Sequence, residues 1–270
     1  MEEIKTEPKC LSQVERDCLE SQDRRLVTEY KAKMLEVDAS KHWDLFYKRN
    51  ETRFFRDRHW TTREFSDLLN NYQSDNSIKR VMLEVGCGVG NMIFPLIEEG
   101  QSFFIYACDF SPRAVEFVKQ NKLYNEEYIK AFQTDITTNG IHSIIETNSV
   151  DIITLVFVLS AIHPDKFIMV LENLFHLLKP GGIILFRDYG LYDMAQIRFK
   201  PGHKIAENFY MRQDGTRSYY FSLEFLNELF LKAGFKTVAS SYIHRRTVNK
   251  KENIDVPRIF VQGKFQKPGT

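Results

Sequence analysis

From residue 81 onward the chain alternates short apolar runs with amphipathic segments, and this alternation restricts the fold more than any other feature. The apolar runs occupy 81–85, 103–107, 150–159 and 183–186, with helical patterns at 92–99, 112–123 and 165–178 between them. Strands and helices alternating in this way favour a parallel sheet covered by helices on both faces. Two further runs, 235–242 and 258–265, read as late strands joined by a charged loop. No repeat or low-complexity tract interrupts the pattern.

The first run leads directly into EVGCGVGN at 84–91. Glycines there let the backbone turn tightly and approach a ligand without side-chain obstruction. A dinucleotide-binding oxidoreductase would carry GxGxxG, with its last glycine at position 91. Position 91 is Asn91, and the pattern is Glu84 followed by GxGxG, which suits a ligand lacking a pyrophosphate. Taken alone, the motif also fits a purely structural strand-to-helix turn.

Asp109 follows the second strand, where a carboxylate can accept hydrogen bonds from both hydroxyls of a ribose. The same stretch can start a helix with Ser111 capping and Pro112 in the first turn, and the two roles are compatible. Asp135 and Ile136 end a third strand, where Asp135 can accept from an adenine amine while Ile136 packs on the ring; a plain loop aspartate is the other reading. Leu178-Lys179-Pro180-Gly181-Gly182 reads as a helix stop and a tight turn.

Upstream, residues 11–50 are highly charged with apolar side chains at helical spacing, including Leu11, Val14, Cys18, Tyr30, Met34 and Val37. One or two helices are expected, with the first ten residues frayed. Between 41 and 65, aromatic residues interleave with Lys48, Arg49, Arg53, Arg56, Arg58 and Arg63, and 70–79 reads as a polar linker. The expected organisation is an N-terminal helical and basic-aromatic extension over 1–79 and a catalytic domain over 80–270.

A chain of 270 residues can bury a core without staples. Its 37 Lys and Arg balance 36 Asp and Glu, so net charge selects no partner. The four cysteines show no CxxC pair and no zinc spacing; Cys87 and Cys108 read as buried packing residues, and neither a metal nor an iron–sulfur cluster is expected. No run is long and apolar enough for a membrane span, and Glu2, Glu3 and Glu7 are unlike a targeting peptide, so a cytoplasmic location is expected, with a nuclear one as the alternative.

In order and spacing, Glu84, GxGxG, Asp109 and Asp135-Ile136 resemble the class I S-adenosylmethionine-dependent methyltransferases. The resemblance implies an α/β, Rossmann-like fold with a seven-stranded, mostly parallel sheet closed by an antiparallel hairpin strand. It also implies S-adenosylmethionine as cofactor and S-adenosylhomocysteine as product. Glu84, Gly86, Gly88, Asn91, Asp109, Phe110, Asp135, Ile136 and Val156 would surround the cofactor.

More particular strings lie outside that core: HWDLFY at 42–47, FRDRHW at 55–60, CDFSPRA at 108–114, FVLSAIHP at 157–164, FRDYGLY at 186–192 and YMRQDGTRSYY at 210–220. Together they resemble the enzymes that form N3-methylcytidine in transfer RNA, nearest the branch acting on serine tRNAs. That resemblance implies cytidine 32 of the anticodon loop as target, seryl-tRNA synthetase as a partner, and Trp43 and Tyr47 in a lid over the cofactor; a hydrophobic clasp is the plainer reading of that pair.

Arg187, Asp188 and Tyr189 follow the fifth strand, where open α/β sheets place their chemistry. Asp188 is expected to meet the cytosine amine and offset product charge, with Arg187 or Tyr189 orienting the base; a buried Arg–Asp pair is the alternative. His163 is a second candidate for the crevice, with a structural histidine as the alternative. For RNA contact the sequence offers Arg53, Arg56, Arg58, His59, Tyr192, Arg198, Lys200, Lys204, Arg212, Arg217, Arg245 and Arg246, with Lys250 and Lys251. Neither DNA nor a membrane is expected as a partner. The competing functions are methylation of a small molecule or protein, and an inactive cofactor-binding RNA subunit.

Overall fold

A computed structural model describes residues 3–69, 79–249 and 254–269. Most of the expected linker at 70–79 and the pair Lys250, Lys251 lie outside the described residues.

The apolar runs become strands because their side chains are covered on both faces. They are β2 (Arg80–Val85), β3 (Phe103–Asp109), β4 (Ile129–Gln133), β5 (Val150–Val156) and β6 (Leu178–Tyr189). Every pairing among these five is parallel. The late strands β10 (Lys236–Asn249) and β11 (Ile254–Gln266) form an antiparallel hairpin, and β11 pairs antiparallel with β6.

The sheet has eight strands where seven were expected. The extra strand is β1 (Glu3–Lys5), which pairs antiparallel with Tyr242–His244 of β10, so part of the expected frayed terminus is a sheet edge. The order is β1-β10-β11-β6-β5-β2-β3-β4. It reverses at β2, which lies between β3 and β5, so a crevice opens at the carboxyl ends of these strands.

Alternate residues of one strand enter different cores. On β6, Ile184 and Phe186 join a core with α7 (Phe167–Leu177) and α9 (Leu223–Lys232). Ile183 and Leu185 join the opposite core, with α5 (Ile93–Glu98) and α6 (Pro112–Lys119). Ser111 caps α6 by accepting from the Ala114 amide at 3.3 Å, and Pro112 is its first residue.

The N-terminal segment forms three helices before residue 51, not one or two: α1 (Gln13–Gln22), α2 (Glu29–Val37) and α3 (Ala39–Asn50). A short α4 (Thr61–Glu64) follows. Ser12 and Glu15 form a reciprocal capping box on α1, and Thr28 caps α2. Asp44 of α3 accepts from the Ser111 hydroxyl at 2.9 Å and pairs with Arg113 at 3.4 Å, fixing α3 against the start of α6.

Between β6 and α9 the chain inserts α8 (Met194–Ile197) and a small antiparallel sheet of β7 (Lys204–Ala206), β8 (Phe209–Met211) and β9 (Arg217–Tyr219). No helix among the described residues is long and apolar enough to cross a membrane.

Candidate active site

The crevice at the strand ends is a cleft with two lobes. Trp43, Tyr47, Gly86, Phe157 and Ala161 line both. One lobe adds Asp109, Phe110, Asp135, Ile136 and residues of α2; the other adds Arg58, Gly88, Asn91, Val156, Ser160, Tyr189 and Arg212. The structure thus gathers nearly all the expected cofactor residues around one space.

The glycine turn works through its backbone. Gly86 and Gly88 have φ of +63° and +55°, a region that strains any side chain. A Cβ on Gly86 would stand 2.5 Å from Val158 Cγ2, and one on Gly88 would stand 2.9 Å from the Tyr47 hydroxyl. The turn is therefore packed closely between Val158 and Tyr47, with no room for a side chain at either glycine. Asp109 is held by two backbone donors, Gly88 N and Ser111 N, each at 2.9 Å. Its burial raises its pKa to about 6, against the opposing pull of those hydrogen bonds. The geometry leaves the two readings compatible: Ser111 caps α6 while the Asp109 carboxylate lines the lobe. The Asp135 carboxylate accepts from the Thr137 amide and hydroxyl at 2.9 and 2.8 Å, and Ile136 packs beside it.

Glu84 lies behind the turn and lines neither lobe. It is 2% exposed, and its Oε2 has no hydrogen-bond partner among the described residues. Burial pushes its pKa up to about 8, with nearby Arg58 pulling it down and Asp109 pushing it up. Asn91 donates to Phe55 O at 3.3 Å and Asp57 Oδ1 at 3.0 Å, tying the 55–58 segment to the glycine turn. Cys87 and Cys108 are buried as expected, and burial raises both thiols above their ordinary range.

The triplet forms the last three residues of β6 and not a segment past the strand: alternation turns Asp188 to the other face from Arg187 and Tyr189, and α4 covers Arg187. Tyr189 lines the second lobe, its ring centre 5.2 Å from that of Phe157. Asp188 does not reach the cleft, contrary to expectation. It is 0% exposed, and its carboxylate accepts from the Ser160 and Tyr189 amides at 2.9 Å each. Burial raises its pKa to about 6, and its bond from the Ser160 amide ties the 159–161 turn to the end of β6. Arg187 also lies outside the cleft. It pairs with Glu64 of α4, donates to Gln262 at 3.2 Å and stands 4.4 Å over the Trp60 ring. Arg187 is thus not placed to orient a base in the cleft, and in place of the alternative Arg–Asp pair it forms an Arg–Glu pair fastening the N-terminal segment to the sheet.

The basic residues divide as well. Arg53, Arg56, His59, Arg198 and Arg246 are exposed, and Arg245 is half-buried. Tyr192 is half-buried with φ of +63° beside α8. Lys204 and Arg217 are not surface cations. Lys204 is 8% exposed and pairs with Asp23 at 2.6 Å and Glu207 at 2.9 Å, while Arg217 is 5% exposed and pairs with Glu36. Arg58 and Arg212 belong to the second lobe instead. Arg58 donates to Val156 O at 3.4 Å, and the Arg212 guanidinium lies 5.2 Å from the Tyr189 ring centre. His163 lines the first lobe, where its ring accepts from the Asp165 amide at 3.4 Å.

Sequence reasoning missed Phe157, Ser160 and Glu36. Phe157 has φ of +61°, a strained state for an aromatic residue, fixed by its amide donating to Arg187 O at 2.8 Å. Its place directly after an apolar strand was the available signal. Glu36 gave none, because its partner lies 181 residues away.

The arrangement fits S-adenosylmethionine. Asp109 meets the demand for a ribose acceptor, Asp135 and Ile136 that for an adenine edge and face, and the Gly86–Gly88 backbone with Arg58 that for an amino-acid end bearing a carboxylate. No group of acidic, histidine or cysteine side chains suited to a metal occurs among the described residues.

Comparisons with known proteins agree with this geometry. A methyltransferase-domain family model matches residues 55–240. The human tRNA N(3)-cytidine methyltransferase METTL6 is 56% identical over 246 residues, 91% of this chain and 86% of that protein. The tRNA N(3)-methylcytidine methyltransferase trm140 of Schizosaccharomyces pombe is 42% identical over 93% of this chain and 81% of its own length. In fold, the chain is similar to the PH0226 protein of Pyrococcus horikoshii, with a TM-score of 0.59 at 15% identity, covering 83% of this chain and 98% of that one. With a fold, a cofactor cleft and relatives that agree, the chain belongs to the S-adenosylmethionine-dependent tRNA N(3)-cytidine methyltransferases.

Proposed function

We propose that this chain methylates N3 of an unpaired cytidine in tRNA, at position 32 of the anticodon loop of serine isoacceptors, with seryl-tRNA synthetase as an assisting partner. The observation carrying the reading is the two-lobed cleft: its shared lining of Trp43, Tyr47, Gly86, Phe157 and Ala161 lets a cofactor run from the first lobe to the glycine turn and Arg58, and leaves the Phe157, Tyr189 and Arg212 edge of the second lobe to a planar base.

S-adenosylmethionine, when bound, supplies an electrophilic methyl group. Asp109 would hold its ribose, Asp135 and Ile136 its adenine, and Arg58 with the glycine turn its amino-acid end. Cytosine N3 already presents a lone pair, so the protein needs no strong general base; its contribution is positioning. Tyr189 and Phe157 offer ring faces to the base, and Arg212 is placed to donate to a carbonyl oxygen. Asp188 acts from behind, holding Ser160 and Tyr189 through their amides. N3 lies on the pairing edge, so a loop nucleotide that is already unpaired enters such a lobe at little cost.

The exposed cations suit a phosphate-contacting surface. Arg245 and Arg246 lie on the part of the β10–β11 hairpin that runs past the last pairing with β6, Phe260 with Tyr189, and so project beyond the strand ends where the cleft opens. With overall charge near neutral, few phosphates are matched per face, which favours help from a protein partner.

The test is methyl transfer from labelled S-adenosylmethionine to total tRNA, with and without seryl-tRNA synthetase, followed by nucleoside mass analysis. N3-methylcytidine in serine tRNA, increased by the synthetase, is the expected result. Cofactor binding without RNA methylation in either condition would overturn the substrate assignment.

A further inference from the structure

Two features of the fold join one lobe to the other: an ion cluster of Glu36, Lys166 and Arg217 that lines the first, and a turn carrying Arg212, which lines the second. The first is Glu36, near the end of α2. Its carboxylate bridges two cations from separate parts of the fold: Arg217 of β9, and Lys166 just before α7, at 2.5 Å. Arg217 is 5% exposed, and its second terminal nitrogen donates to Ala161 O at 3.3 Å. Ala161 is one of the residues lining both lobes. Burial opposes ionisation of Glu36, yet its bonds to Lys166 and Arg217 outweigh it and hold the carboxyl below its ordinary range.

The second is the turn between β8 and β9. Gly215 has φ of +84°, and a Cβ there would collide with the His42 ring of α3. The turn therefore packs directly against the helix that carries Trp43 and Tyr47 into the cleft. The same turn carries Arg212, whose amide donates to Thr216 O at 2.8 Å and whose side chain lines the second lobe. The cofactor-side helices and the β8–β9 hairpin thus touch twice, by an ion pair and by close packing.

We propose that Glu36 and Arg217 are positioning residues that couple the lobes: closure of α2 and α3 over the cofactor fixes the β8–β9 hairpin, and with it Arg212, for the incoming base. Cofactor then binds before tRNA and raises tRNA affinity. This rests on the functional reading above, and the decisive test uses no RNA.

Hydrogen exchange is measured on the full chain with and without saturating S-adenosylhomocysteine, for wild type, Glu36→Gln, Arg217→Gln and the double variant. In wild type, amides of β8 and β9 should slow about fivefold or more on adding the nucleoside. In either single variant that slowing should disappear while amides at Gly86 and Gly88 remain protected, which shows a folded, occupied cofactor lobe. Because one latch can be lost only once, the double variant should match the singles. Should a glutamine variant fail to fold, Glu36→Asp, which keeps the charge and shortens the reach, should give an intermediate slowing. Hairpin slowing in Glu36→Gln equal to wild type, additive losses in the double variant, or no slowing in a wild type that binds the nucleoside would each overturn the proposal. With tRNA added, the gain in affinity from S-adenosylhomocysteine should fall from about fivefold or more to about onefold in Glu36→Gln. A wild type that shows the hairpin response but methylates no tRNA would leave the coupling standing and sink only the substrate assignment.

Discussion

Replacing Arg187 with alanine should weaken the fold before it weakens the chemistry. The guanidinium is 1% exposed, its partner Glu64 has a side chain 9% exposed, and Trp60 covers the cation at 4.4 Å. Removing the cation leaves the Glu64 carboxylate in a low-dielectric setting without its main counter-charge, which typically costs about 3–5 kcal/mol. For a chain of this length that corresponds to a fall in melting midpoint of about 5–9 °C. Arg187→Met combined with Glu64→Leu removes both charges and keeps much of the volume, so it should recover most of the loss, to within about 1–2 kcal/mol of wild type. The assay is thermal and urea unfolding followed by tryptophan fluorescence, since Trp60 reports directly on the site, paired with turnover on tRNA at a temperature where every variant is folded. A melting midpoint within about 1 °C of wild type together with collapsed turnover would refute the structural role and return Arg187 to the reacting atoms.

Gly86→Ala should lower affinity for S-adenosylhomocysteine at least tenfold by calorimetry, because its φ of +63° strains a side chain by about 1–2 kcal/mol and its Cβ meets Val158. An unchanged affinity would mean the turn does not approach the ligand. Cofactor affinity should be level at alkaline pH and fall as pH drops through about 6, where Asp109 takes up a proton and loses acceptor capacity for the ribose. Asp109→Asn should bind weakly with no such step; a step surviving in that variant would assign it to another group. Replacing Arg53, Arg56, Arg245 and Arg246 one at a time with alanine should reduce the salt dependence of tRNA binding by up to about one unit of slope each and leave cofactor affinity unchanged. A salt slope that none of the four alters would move the RNA surface elsewhere.

The parallel core and the cofactor lobe were legible because their signals are local. A short apolar run, a glycine turn and a carboxylate at a strand tip each occupy a few consecutive residues, and Gly86, Gly88, Asp109 and Asp135 all line the cleft. Side-chain direction at the end of β6 was not legible. In Arg187-Asp188-Tyr189 the side chains alternate across the sheet, and which face opens on the cleft depends on β5, β11 and α4. The same limit explains the basic residues. A lysine or arginine in a sequence reads as surface charge, yet Lys204 and Arg217 are buried by carboxylates of the N-terminal helices, Asp23 and Glu36, each 181 residues distant. The eighth strand escaped for a similar reason: three residues carry no period of their own and become a strand only because β10 offers an open edge.

Three buried carboxyl groups lie in or behind the cleft, of which Asp109 alone lines it. Glu84, Asp109 and Asp188 all titrate above their ordinary values, at about 8, 6 and 6, with burial as the largest cause in each case. An acid whose pKa rises on folding favours the folded state most when protonated, so its contribution is full below the unfolded value near 4 and is lost as pH rises through the folded value. At neutral pH Asp109 and Asp188 are therefore held ionised against their burial. Backbone donors offset this cost for Asp188, whose oxygens accept from Ser160 and Tyr189. Asp109 has Gly88 and Ser111 but also faces the open lobe, and Glu84 keeps one oxygen without a partner. Uncompensated acid desolvation is thus concentrated at Asp109, in the first lobe, and at Glu84 behind the glycine turn, while Arg212 faces the second lobe and Asp188 is already satisfied. A cationic cofactor placed beside Asp109 would offset part of that cost on binding, whereas a cationic product base beside Arg212 would meet a like charge, an asymmetry that favours release of N3-methylcytidine.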